Sequence, residues 1–209
     1  MVIKIRECLP KNSVAVGASL AERHMESVQK AVADNAIAPG SLILLDFSGI
    51  DIVNGSYIKG TALWLLTCGR LSASNAGALS APRHRADPRP CDLYVSVAGL
   101  SPDVTTEFQD FFKARRLPLL AARHLKSGLI EEAELLGHLD PILTITLKAA
   151  LRRGPVTAPD LHRAFPDGDV TVTAWNNRLN ELHALRLLRR IRAGRAWKYE
   201  PIAKKIVWE

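Results

Sequence analysis

The chain has 209 residues, 47% of them hydrophobic, which gives apolar material for a core and length for two small domains. No apolar run approaches the roughly 18 to 20 residues needed to cross a bilayer, and three cysteines without CxxC spacing point away from a disulfide framework or a thiolate metal site. Lys and Arg number 28 against 21 Asp and Glu, but residues 140–209 hold 13 against 7 while the rest hold 15 against 14, so the excess implies an anionic partner for one third of the chain only.

In chain order, short runs at 2–6 and 13–16 around Pro10-Lys11-Asn12 predict a hairpin or two edge strands. Ser19 is a fair helix cap, and Leu20, Met25, Val28, Val32 and Ile37 follow near helical spacing until Pro39-Gly40. The run 42–47 is apolar without alternation, as in a strand buried on both faces. A turn through Ser48, Gly49, Asp51 and Asn54 leads into a helix over 57–71. Residues 72–92 are small, Pro-rich and basic and read as a surface loop, whose Arg83, His84, Arg85 and Arg89 suit a phosphate or an acidic partner. A strand at 93–98, a helix from Ser101-Pro102 through Phe112 and a closing strand at 117–121 complete this half.

The stretch Leu45-Asp46-Phe47-Ser48-Gly49-Ile50, followed by Asp51 to Ser56, resembles the STAS domain of anti-sigma-factor antagonists. There the central strand ends in an LDLSGV-like segment and runs into a helix opening with D-S-S-G-L. The pieces follow that order over residues 13–123. The resemblance implies a partner-binding α/β domain and places the family's phosphorylatable serine on Ser56, with Gly55 and Tyr57 standing where the family has serine and glycine. A phosphate at a helix N-terminus would alter a docking surface. The alternative reading is that Ser56 caps the helix. Asp46 and Asp51 read as strand-end and turn residues, since no His, Lys or Cys is placed to complete a catalytic set with them.

Residues 126–139 place Leu129, Ile130, Leu135 and Leu136 among Glu131, Glu132 and Glu134 and predict a helical connector. Pro141 suits the first turn of a helix over 142–152, which Gly154-Pro155 closes. Thr157 to Asp160 is a T-x-x-D start for a short helix. A turn at 166–169 then leads to a helix over 173–184, with Trp175, Leu179 and Leu182 inward, and to a hairpin turning at Ala193-Gly194. The order helix, helix, helix, hairpin is that of a winged helix, and the passage 154–201, which holds the second and third helices and the basic hairpin, resembles the winged helix-turn-helix of bacterial regulators. That resemblance makes 173–184 the recognition helix and 187–199 the wing.

With Trp175 in the core, Thr173, Asn176, Asn177 and Asn180 can face a groove, where Asn bonds adenine bidentately, while Arg178, Arg190, Arg192, Arg195 and Lys198 suit phosphates or the minor groove. A solvated helix surface is the alternative for the asparagines. The expected fold class is α/β, a STAS-like sheet with helices, plus a C-terminal winged helix, divided as 1–125, 126–139 and 140–209. The expected function is a cytoplasmic, non-enzymatic regulator that binds duplex DNA and, through the STAS-like part, a protein partner or signal, with a homodimer as one admissible assembly and no membrane contact. The alternative is a protein-protein adaptor in a multi-protein signalling or defence complex. No cofactor or metal is expected: His24, His84, His124, His138, His162 and His183 are dispersed, and P-loop, GxGxxG, HExxH and GxSxG motifs are absent.

Overall fold

The apolar runs near 42 and 93 remain unbroken because both of their faces are covered. The computed structural model describes residues 1–9, 13–34, 40–68, 70–71, 79–80, 93–126, 129–166, 170–194 and 196–208. Its first elements are β1 (Val2–Lys4), β2 (Val14–Ala15), α1 (Ala18–Asp34), β3 (Ser41–Asp46), β4 (Ile52–Val53) and α2 (Gly55–Ile58). A π-helical turn (Lys59–Leu63) joins α2 to α3 (Trp64–Cys68), and a short antiparallel pair follows, β5 (Arg70–Leu71) with β6 (Leu79–Ser80). Next come β7 (Leu93–Ala98), α4 (Pro102–Ala114), β8 (Pro118–Lys126) and β9 (Leu129–Gly137). The chain continues through α5 (Pro141–Arg153), α6 (Ala158–Ala164), α7 (Val172–Ala184), β10 (Leu188–Ala193), β11 (Ala196–Pro201) and β12 (Ala203–Val207).

The result is a mixed α/β fold with a mostly parallel six-stranded sheet in the order β1-β3-β7-β8-β9-β12. Pairing is parallel from β1 to β8, antiparallel between β8 and β9, and parallel between β9 and β12. Alternate residues of the strands enter two different cores, as the two-residue period of a strand requires. On one face Ile43, Leu45, Val95, Val97 and Leu119 pack with Tyr57, Ile58, Phe108 and Phe112 from the helices between Gly55 and Ala114. On the other, Leu120, Ile130, Ala133 and Ile206 pack with Leu147, Trp175, Leu179 and Leu182 from α5 and α7. Phe47 and Phe108 meet edge to face at 5.1 Å, and removing such a buried ring costs about 3 to 5 kcal/mol. At Gly60 a Cβ would lie 2.6 Å from Ala21 Cβ, so the approach of α1 needs the bare glycine.

Several expectations change. Of the two arrangements expected for 2–6 and 13–16, the hairpin is absent and the edge strands are present: β1 lies parallel to β3 at the edge of the six-stranded sheet, and β2 pairs in parallel with β4. The helical connector expected at 126–139 is β9, paired with β8 and β12. Here tertiary pairing outweighs local helix preference. The acids taken for a helix surface are cross-strand partners: Arg123 donates to Glu134 at 2.8 Å, Lys204 to Glu131 at 2.7 Å and Lys205 to Glu132 at 2.6 Å. The strand at 117–121 does not close the sheet, which continues through β8, β9 and β12. The boundary expected near 125–140 thus falls within the β8–β9 hairpin of a shared sheet. The loop residues Arg83, His84, Arg85 and Arg89 lie outside the described residues. Among the described residues, no helix is long and apolar enough to cross a membrane.

Candidate nucleic-acid interface

The local chemistry of 140–201 explains its order. Asp140 caps α5 by accepting from Ile142 N–H at 2.8 Å, with Pro141 in the first turn. Thr157 and Asp160 form a capping box on α6: Thr157 Oγ1 accepts from Asp160 N–H at 3.2 Å, and the Asp160 carboxylate accepts from Thr157 N–H at 2.9 Å and Oγ1–H at 2.7 Å. Those two bonds hold the Asp160 carboxyl below its ordinary range. Val156 bridges β11 in both directions, donating to Tyr199 O at 2.9 Å and accepting from Tyr199 N–H at 2.8 Å. The segment between α5 and α6 thereby becomes a third partner of the β10–β11 hairpin.

Thr171 caps α7 by accepting from Ala174 N–H at 3.2 Å. Trp175, Leu179, Leu182 and His183 are buried, whereas Thr173, Asn176 and Asn177 are exposed. The four buried positions follow the 3.6-residue period; Thr173 and Asn177 fall on the opposite side, and Asn176 on the flank beside His183. Arg178 is half-buried with its guanidinium 5.3 Å from the Trp175 ring centre. Asn180 differs from expectation: its Oδ1 accepts from the Tyr199 hydroxyl at 2.7 Å, so it anchors the hairpin to α7 and its carbonyl is not offered to a groove. Burial pushes the Tyr199 phenol above its ordinary range, which keeps it a donor.

In the hairpin, Arg190 is opposite Tyr199 and Arg192 opposite Trp197. Both guanidiniums lie over the Trp197 ring, at 4.5 Å for Arg190 and 4.9 Å for Arg192. Arg192 Nε also donates to Gly194 O at 3.0 Å, across a turn that Gly194 makes with φ +62°. Lys198 is exposed on the other face, opposite Ile191, where Arg189 pairs with Glu200. Arg195 lies outside the described residues.

The structure thus separates the basic residues of this segment. Arg186 is 4% exposed, has φ +65° and donates through Nε to Leu66 O at 3.3 Å, so its charge ties the turn between α7 and β10 to α3. Trp197 was missed by sequence reasoning. Its signal was the period-two pattern Arg190, Arg192 against Trp197, Tyr199, which puts all four on one hairpin face.

Ser56 lies far from this surface in sequence, exposed in the first turn of α2. The cap of α2 is Asn54, whose Oδ1 accepts from Tyr57 N–H at 3.0 Å and Gly17 N–H at 3.1 Å. The capping expected of Ser56 is therefore carried two residues earlier. Asp46 Oδ1 accepts from Ser48 N–H at 2.9 Å and Oγ–H at 2.6 Å, and Asp51 accepts from Ser13 Oγ–H, so both acids hold turns. Beneath α2, His24 is buried, with Nδ1 2.6 Å from the Tyr57 hydroxyl and Nε2 3.0 Å from Cys8 O. Burial lowers its pKa. Comparison with known protein families, curated proteins and solved structures returns no match to this chain.

Proposed function

We propose that this chain is a non-enzymatic, cytoplasmic regulator that binds duplex DNA, with α5, α6, α7 and the β10–β11 hairpin acting as a winged helix-turn-helix. The observation that carries the reading is the exposed stripe Thr173, Asn176 and Asn177 on α7, joined through Asn180 and Tyr199 to a hairpin bearing Arg190, Arg192 and Lys198. Asparagines offer base-edge recognition and the cations neutralise phosphates. The helix order and the Val156–Tyr199 bridge also support it. The other face of the sheet, with α1 to α4, is the STAS-like module that receives a partner or signal, and Ser56 is its exposed candidate switch. The test is anisotropy of a labelled duplex with the full chain and with Arg192→Ala/Lys198→Ala. Weaker binding to all sequences alike is expected, whereas an unchanged Kd refutes the assignment.

A second reading, a protein-protein adaptor, is favoured by one observation: Ile142 and Ile145 on α5 are 50% and 61% exposed and one helical turn apart. Binding of a protein partner without any duplex affinity would select it.

A further inference from the structure

We propose that the chain forms a two-fold dimer in which the β12 edges of two copies pair antiparallel and their α5 helices meet over the joined sheet. Among the described residues β12 is bonded on one side only, to β9, so its outer edge carries a row of backbone N–H and C=O groups with no strand to take them. The opposite edge is β1, three residues long, whereas β12 has five.

Edges are commonly blunted by lysines that reach outward. Those of β12 reach inward: Lys204 Nζ donates to Glu131 at 2.7 Å and Lys205 Nζ to Glu132 at 2.6 Å, both on β9, so two such strands can approach without facing bare ammonium groups. Beside this edge α5 leaves Ile142 and Ile145 50% and 61% exposed, and Lys148, one turn beyond Ile145, lies 4.8 Å from the ring centre of Trp208, the residue after β12. The apolar stripe and the open edge are thereby neighbours on one surface.

That juxtaposition selects the occupant. A foreign strand would satisfy the edge and leave the isoleucines in water, whereas one two-fold axis normal to the sheet sets β12 against β12 and the α5 stripe against itself in a single operation. A strand edge of about 17 Å and a helix of about 20 Å, stacked to a height of about 20 Å, give on the order of 350 Å² of flat face per copy. Two such faces bury about 1,000 Å² of accessible surface, where specific interfaces begin. The stripe thus belongs to a copy of the chain instead of to the foreign partner of an adaptor, and dimerisation is measured without DNA.

The experiment is sedimentation equilibrium of the full chain at micromolar concentrations, with hydrogen exchange of the β12 amides. A monomer–dimer equilibrium is expected, with exchange of β12 slowing as concentration rises. Ile145→Glu, at a position exposed in the single chain, should keep the circular dichroism spectrum and weaken dimerisation about a hundredfold, whereas Ile145→Leu should keep the dimer. Should Ile145→Glu misfold, Ile142→Glu takes its place with the same expectation. A chain that stays monomeric, a dimer indifferent to both glutamates, or β12 exchange that does not change with concentration would overturn the proposal.

Discussion

Tyr94 on the sheet and His183 on α7 meet in the interior, with the phenol oxygen 3.4 Å from Nδ1 and the rings 6.4 Å apart. The helices after residue 140 therefore pack on the sheet itself, and β12 returns to pair with β9. One cooperative unfolding transition is expected by calorimetry and by denaturant. Ile206→Ala should lower stability by about 2 to 5 kcal/mol for the whole chain, because Ile206 is buried against that shared core. Two separate transitions, with only one moved by the variant, would refute the shared core.

The two tryptophans of the candidate interface should behave oppositely. Trp175 is 3% exposed between α7 and Phe165, whose ring centre is 5.9 Å away, so Trp175→Ala should cost about 3 to 5 kcal/mol. Trp197 is half-buried beneath two guanidiniums, so Trp197→Ala should keep the fold by circular dichroism while freeing Arg190 and Arg192 from their ring seat and weakening duplex binding. A folded Trp175→Ala protein with selectively lost binding would mean that α7 is turned the other way.

At the start of α2, the hydrogen bonds assign the cap to Asn54. Asn54→Ala should cost about 1 kcal/mol of stability, and Ser56→Ala less than about 0.5 kcal/mol. Ser56→Asp should fold normally and, if Ser56 is the switch, alter capture of a protein partner. Equal losses at 54 and 56 in urea titrations would contradict the cap.

The capping box of α6 gives a pH signature. The two bonds from Thr157 lower the folded pKa of Asp160 below its ordinary 3.8, so the unfolded chain binds more protons in the interval between the two values. The stabilisation is present above pH 3.8 and is lost as pH falls through the folded value. Thr157→Val should raise the Asp160 pKa towards 3.8 in a carbon-detected NMR titration and reduce the acid-dependent loss of stability. An unmoved Asp160 titration would show that the Thr157 hydroxyl is not the cause.

The strongest local signals were readable in the sequence. The unbroken run at 42–47, the T-x-x-D box at Thr157 and the Trp175, Leu179, Leu182 stripe each depend on near neighbours and appear as β3, the cap of α6 and the buried side of α7. What was missed depends on distant pairing. Leu129 to Glu134 shows no strand alternation, and it becomes β9 only because β8 and β12 supply hydrogen bonds and the lysines and arginine that partner its glutamates. Asn180 read as exposed until the hairpin brought Tyr199 onto it from 19 residues away. The burial of Arg186 has no local signal either, since its partner Leu66 lies 120 residues away.

The most direct test of the central claim is the salt dependence of duplex binding by the full chain, measured by anisotropy from low to physiological ionic strength. With three to five cations of α7 and the hairpin on phosphates, log K should fall with log salt at a slope of roughly −3 to −5, and Arg192→Ala/Lys198→Ala should reduce its magnitude by about two. On a preferred site, Asn176→Ala or Asn177→Ala should lose about 1 to 3 kcal/mol while leaving the slope unchanged. Absence of duplex binding at low salt, or binding whose slope the hairpin variants do not change, would contradict the account.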